Sequence, residues 1–569
     1  MITVRSFVII AFGLNLLAVA FLSFYQYSQL NKSYYSSQFS LKTTLSFDDP
    51  IKAFLLLEKL DVDSAVADKA IPGHNYTRAA GGFKINFNYC SENRAYFVKH
   101  PEEIFEKQNV MTNYGNSHKL IKQVFPMINA IDLHPEISPR KTLPPNSFIY
   151  DLKPEAVVFF TQNLFFYSRQ IGKQWSCLTQ ASNHIPGHDK IYRKDFGAQA
   201  LVDYAATYKS RPLCFNFKGF FPKTWVLKNK DQCQNFFSEF NSSYYQRLKK
   251  ERNVVYFRKI GANVHEGSGV FPVTDEEEAK IRTLYKNGSL CGNITANNLI
   301  QYNVWNPLLL ENRKFGFRMF MLIASTNPVI AYFHDGYLRL SIDEYNANSK
   351  DIKTFVTNIG VNLKEAKKKE DSIFKGMTNV QINEYTCWFL PKFQDYLTEK
   401  GIIKDKKWLD AYLRPQFKRI MIHLIRMSQD AYIKKSSVFE LYGLDFVMDA
   451  DLGLWYIETN TMPLIDGFTK ESTKLMNRML ADTFEIIFGL VRSRMKRVII
   501  YINQLSGELA DKNSNLSDLE KRRTEFRKIA MNRFEPEFEP SAKNTFQKII
   551  DENEVGTARY SDLLDSDCL

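Results

Sequence analysis

Two short runs near residue 450 constrain this chain more than any other part of it. Phe439-Glu440-Leu441-Tyr442-Gly443-Leu444-Asp445 and Trp455-Tyr456-Ile457-Glu458-Thr459-Asn460 read as two β-strands, joined by an acidic turn that holds Asp449 and Asp451. Side chains alternate between the faces of a strand, so Glu458 and Asn460, two apart, point the same way. The first strand delivers the carboxylate of Asp445. Oxygen ligands converging from neighbouring strands suit Mg²⁺, a hard ion that also takes oxygens from phosphates. Acidic turns are common, so the hairpin alone does not require a metal.

Around this hairpin the apolar pattern alternates between strand and helix. Ala156 to Phe160 and Val254 to Phe257 read as buried strands. Phe317 to Ser325 and Pro328 to Phe333 read as a strand pair turning at Thr326-Asn327, and Tyr337 to Leu340 as a further strand. Residues 404–434 and 475–502 have helical periodicity. Residues 505–533 read as a solvated helix, and the polar stretch from about 534 as loose. With 569 residues there is room for two or three domains.

Cations recur at the ends of the strands. Lys259 precedes a glycine-bearing loop, Gly261 to Gly269, which includes Gly267. That is one way to hold phosphates, with loop amides and an ammonium together; a plain glycine hairpin looks the same. Lys314 and Arg318 are four apart and share a strand face, and Arg339 ends another strand. Snorkelling or edge ion pairs would explain them, and so would a pocket for polyphosphate and a carboxylate. The net charge of +13 favours anionic partners. Nucleic acid ranks low, because no RNA-binding aromatic motif or zinc-finger spacing accompanies that charge.

Seven cysteines lie far apart with no CxxC pair, which gives no disulfide framework. At the other end of the chain, Ser6 to Leu30 lacks charge and Phe7 to Phe24 is almost wholly apolar, long enough to cross a bilayer. The expectation is a single-pass membrane anchor with a cytoplasmic body. A signal peptide cleaved near Ala18-Val19-Ala20, leading to the secretory pathway, is the alternative. Sequons at Asn31, Asn75, Asn241, Asn287, Asn293 and Asn515 matter only for a lumenal body.

The order of these pieces resembles the tubulin–tyrosine ligase-like family, over about Asn183 to Gly467. The similarity starts at Asn183-His184-Ile185-Pro186-Gly187 and Tyr192-Arg193-Lys194-Asp195. It runs on through Phe221 to Trp225, Lys259 with its loop, Gln301 to Leu309, Lys314 to Arg318, Tyr337 to Arg339 and Phe355 to Asn358, and ends in Phe439 to Pro463. The resemblance implies an α/β (α+β) architecture with an ATP-grasp body. The expected divisions are a membrane or signal segment over 1–30, a linker region over 31–150, the start of the body over 151–250, the catalytic domain over 251–490 and a helical, polar tail over 491–569.

It also implies roles. Lys194, Lys259 and the loop glycines Gly267 and Gly269 would contact ATP phosphates. Gln301, Tyr302, Asn303 and Val304 would form the hinge against adenine, and Thr357 and Asn358 would lie near the triphosphate. Lys314, Arg318 and Arg339 would hold the γ-phosphate and an acyl-phosphate intermediate, while Asp445, Glu458 and Asn460 would bind Mg²⁺. The implied reaction joins a free amino acid (Tyr, Glu or Gly) to tubulin or another acidic protein acceptor. Three departures stand against the family pattern: Gly316 where an acid is usual, Phe355 where a His is usual, and a glycine loop with Ile260 after its lysine and one extra residue. A nucleotide- or filament-binding pseudoenzyme, and a lumenal ligase with another substrate, are the competing expectations.

Overall fold

The computed structural model describes residues 102–113, 118–133, 154–161, 179–207, 220–252, 254–261, 269–347, 357–369, 373–432, 437–461, 467–510 and 538–552, with isolated positions between them. One sheet organises most of these. Strands β1 (Gln108–Asn113), β2 (Ala130–Asp132), β3 (Val158–Thr161) and β4 (Ala181–Asn183) pair in parallel. Strand β13 (Val438–Met448) joins β4 in parallel and then leads the antiparallel half. That half holds β10 (Arg313–Thr326), β11 (Val329–Leu340), β12 (Cys387–Phe389) and β14 (Leu454–Thr461). Short strands β9 (Leu309–Leu310) and β15 (Gln547–Asp551) complete an 11-stranded sheet. The strand pair expected to turn at Thr326-Asn327 forms β10 and β11, longer at both outer ends than its apolar run. That extra length carries Lys314 and Arg339 into the same sheet.

Every residue of β10 is buried, because helices cover both faces. Phe315, Phe317, Met319, Met321 and Ile323 pack on the side of the helix Arg414–Ser428. Phe320, Leu322 and Ala324 pack on the side of the 41-residue helix Lys470–Ala510, against Met476, Leu480 and Phe484. By the same alternation, Lys314, Gly316 and Arg318 continue the second face beyond the end of that helix's apolar contact.

The smaller lobe is a four-stranded antiparallel sheet in the order β5 (Thr224–Val226), β8 (Asn298–Tyr302), β6 (Tyr256–Ile260), β7 (Val270–Pro272). Its aromatic core includes Trp225, Phe236, Phe240, Tyr245, Tyr256 and Tyr285.

Two expectations are corrected here. Among the described residues no helix is long and apolar enough to cross a membrane. Lys470–Ala510 has the length, but Lys474, Arg478, Asp482 and Glu485 interrupt it. The single-pass membrane assignment and its secretory alternative are withdrawn; the run Phe7 to Phe24 lies outside the described residues. The expectation of no disulfide framework also missed one bond. Cys233 and Cys291, 58 residues apart, are bonded, with Cα atoms 5.6 Å from each other.

Candidate functional site

Strand register alone assembles a charged face. Across the pairing of β11, β10, β13 and β14, Arg339 stands opposite Gly316, Arg318 opposite Asp445, Asp445 opposite Glu458, and Gly443 opposite Asn460. Directly paired residues share a face. Cations and carboxylates from four strands therefore meet on one side of the sheet.

The carboxylate of Asp445 is clamped. Arg318 donates from Nε to Oδ1 at 2.6 Å and from Nη2 to Oδ2 at 3.0 Å. Arg339 Nη2 donates to Oδ1 at 2.7 Å, and Asn460 Nδ2 to Oδ2 at 3.3 Å. Burial alone would raise this carboxyl, but Arg318 and then Arg339 outweigh it and hold it at about 2. Glu458 lies 3.5 Å from Lys194 Nζ.

The lysines differ. Lys259 and Lys314 are 8% and 6% exposed, and among the described residues neither makes an ion pair. Burial pushes Lys259 down to about 8, with Glu458 pulling against it and Lys194 adding repulsion. Lys314 is also pushed to about 8, by burial and then by Lys259. Its ammonium lies 5.5 Å from the Phe355 ring centroid. Nε of Arg339 is buried without an acceptor among the described residues. Five cations around two carboxylates leave a surplus of positive charge, which a polyanion would neutralise. Asp445, Glu458 and Asn460 offer oxygen donors of the kind a hard divalent cation takes.

Not every expected residue joins this cluster through its side chain. Gln301 Nε2 donates to Thr224 Oγ1 at 2.9 Å, the Tyr302 hydroxyl to Glu239, and Asn303 Nδ2 to the Val254 carbonyl at 3.1 Å. All three turn into the small lobe, so an adenine hinge there would rely on backbone; Val304 is half-buried. Asn358 caps the helix Ile359–Lys368, accepting from Gly360 N at 2.8 Å. Thr357 packs towards Gly316, where an added Cβ would meet its Oγ1 at 3.1 Å. Gly269 is buried at the end of the loop, and Gly267 lies outside the described residues.

Two groups of residues that shape the site were not singled out from sequence. Gly443 lets Arg318 cross the sheet: a Cβ there would stand 3.0 Å from Arg318 Cδ and 2.9 Å from Pro463 Cβ. A glycine inside a strand, two residues before Asp445, was the available signal of close approach. Asp195 and Asn297 tie the lobes together, with Asn297 Nδ2 donating to Asp195 Oδ2 at 2.7 Å beside Lys194. Nothing in their spacing marks that pair.

Residues 173–497 match the model of the tubulin-tyrosine ligase family. Among individual relatives, the inactive polyglycylase TTLL10 of Homo sapiens is 24% identical over 337 residues, covering 56% of this chain and 46% of its own. The protein polyglycylase TTLL10 of Macaca fascicularis is 27% identical, covering 55% and 50%. Tubulin glycylase 3C of Tetrahymena thermophila is 29% identical over 207 residues, covering 35% and 18%. The chain thus spans half or less of the length of these curated relatives. With more than half of its residues inside the family match, the chain belongs to the tubulin-tyrosine ligase family.

Proposed function

We propose that this chain is an ATP- and Mg²⁺-dependent ligase that joins an amino acid, glycine before glutamate or tyrosine, to a side-chain carboxylate of tubulin or another acidic protein. The observation that carries the reading is the pair Lys259 and Lys314, buried and making no ion pair among the described residues, beside a clamped Asp445. Buried charges are stable when paired, so two ammonium groups without an ion pair among the described residues fit a site built for an anion. The orphaned Nε of Arg339 fits the same ligand. Preference for glycine follows from relatives named as glycylases.

In this reading Lys194, Lys259 and Lys314 hold the triphosphate. Arg318 and Arg339 turn from Asp445 to the γ-phosphoryl group as the acceptor carboxylate attacks it; the bond to the β-phosphate oxygen breaks, ADP leaves and an acyl phosphate forms. The amine of the amino acid then displaces phosphate and leaves an amide. Asp445, Glu458 and Asn460 would hold Mg²⁺, which neutralises charge crowding on the transferring group. Exclusion of water matters because an acyl phosphate hydrolyses.

A second reading, a catalytically impaired member that still binds nucleotide, is favoured by Gly316 and Phe355 and by the human relative named inactive. Incubation with MgATP, labelled glycine and tubulin tests both. Label in tubulin that requires ATP supports the ligase. Nucleotide-dependent thermal stabilisation without label supports the second reading, and neither effect removes both.

A further inference from the structure

We propose that the Cys233–Cys291 disulfide is a redox-sensitive staple that sets how the helix bearing Lys194 meets the small lobe, so that its reduction weakens nucleotide binding. The proposal rests on the nucleotide-site reading above.

The helix Lys194–Thr207 is held to the small lobe at two points one turn apart, Asp195 and Gln199. Gln199 Oε1 accepts from Gln232 Nε2 at 2.6 Å, and Gln232 directly precedes Cys233 in the helix Lys230–Phe240. Asp195 accepts from Asn297, six residues after Cys291. The Asn297 carbonyl in turn accepts from Gly261 N at 2.8 Å, two residues past Lys259. The disulfide closes this ring. One side runs through Gln232 to the Lys194 helix, and the other through residues 291–297 to the strand end that carries Lys259. Both phosphate-site lysines sit beside its corners.

Between Tyr285 and Asn298 the only regular structure is the single 3₁₀ turn Lys286–Gly288. Cys291 is therefore the covalent tie of an otherwise irregular segment. Cys233 is fully buried, whereas Cys291 is 5% exposed and is followed by exposed Gly292 and Asn293. A dithiol would attack from that side. It delivers two electrons and two protons, the S–S bond breaks, two protein thiols form, and the reductant leaves as its own disulfide. Hydrogen bonds and the packing of Ile294 against the small-lobe core then hold Asn297 under Gly261 and against Asp195.

The test uses the full chain and a non-hydrolysable ATP analogue with Mg²⁺. Alkylation of the unreduced protein, read by mass, should leave Cys233 and Cys291 unlabelled until dithiothreitol is added. Reduction should weaken analogue binding by about fivefold or more, and reoxidation should restore it. The C233S/C291S variant should bind like the reduced chain, unaffected by dithiothreitol, with circular dichroism showing that it is folded. Equal affinity of the oxidised and reduced chains overturns the staple and leaves the nucleotide reading intact. Alkylation of both cysteines without reductant also overturns it. Failure of the oxidised chain to bind the analogue at all overturns the staple together with the nucleotide reading.

Discussion

Arg318 and Asp445 meet in a two-pronged ion pair, 2.6 and 3.0 Å, on adjacent strands whose register sets them directly opposite each other. The carboxylate that would face a metal is thus already the counter-ion of the guanidinium that would face a phosphate. Removing one partner of a buried pair leaves the other uncompensated, which typically costs about 3–5 kcal/mol. Asp445→Asn should therefore lower the melting temperature of the ligand-free protein, and added inorganic triphosphate should recover part of the loss. An unchanged melting temperature would show that the pair is not buried in solution. The acid window follows the carboxyl, whose folded value lies near 2 against 3.8 unfolded. Its contribution is full above pH 3.8 and is lost as pH falls through 2.

Lys259 and Lys314 act at the other end of the pH scale. Each is held near 8, below the 10.5 of an unfolded lysine. Between pH 8 and 10.5 the unfolded chain binds more protons than the folded one, so these two groups make stability rise with pH there. Phosphate binding runs the opposite way, because it needs the ammonium form. Nucleotide affinity should fall as pH rises above 8, and binding near pH 8 should take up protons. Calorimetry in buffers of different ionisation enthalpy reads that uptake; a proton count of zero would remove the lysines from the phosphate site.

Gly316 and Phe355 separate the two functional readings. A Cβ at Gly316 would lie 3.1 Å from Thr357 Oγ1 and 3.3 Å from the Phe446 carbonyl, so the Cβ of Gly316→Asp needs both Thr357 and the Phe446 backbone to shift by a few tenths of an ångström. Phe355 is 7% exposed and packs edge-on to Phe257, with centroids 5.4 Å apart. Phe355→His should cost about 1–3 kcal/mol through lost packing and a buried polar ring. If these positions limit catalysis, the double variant should incorporate more labelled glycine than the native chain despite melting lower. A lower melting temperature without a rise in incorporation would assign the two positions to packing alone.

What could be read beforehand depended on local signals. Glu458 and Asn460 needed only the two-residue period of a strand, and the β10–β11 hairpin needed an apolar run broken by Thr326-Asn327-Pro328. The hinge residues were harder. Gln301, Tyr302 and Asn303 lie on or beside a strand paired on both sides, and no pattern reveals that their polar ends find Thr224, Glu239 and the Val254 carbonyl. The Cys233–Cys291 bond spans 58 residues, and Asp195 meets Asn297 from another lobe. Contacts so distant in sequence leave no periodic trace.

Strand β15 was hidden for the same reason, and it carries the last prediction. The stretch after 534 reads as polar, yet Gln547–Asp551 pairs with Ile330–Phe333 and closes an edge of β11. Only Ile549 and Ile550 within it are fully buried, with Phe546 packed beside Tyr332 and His334. The segment is pinned at its start, where Thr545 N donates to Asp482 Oδ2 at 2.7 Å. At its end Glu552 accepts from Val329 N at 2.7 Å. Each fully buried apolar side chain is worth roughly 1.5–3 kcal/mol, so the loss from deletion exceeds that of one core truncation. Ending the chain at residue 537 should lower the melting temperature and leave residues 330–333 unpaired on the edge away from β10. Such an edge recruits another strand, so light scattering should detect dimers or larger species. A truncated chain that stays monomeric at the native melting temperature would mean β15 is not docked in solution.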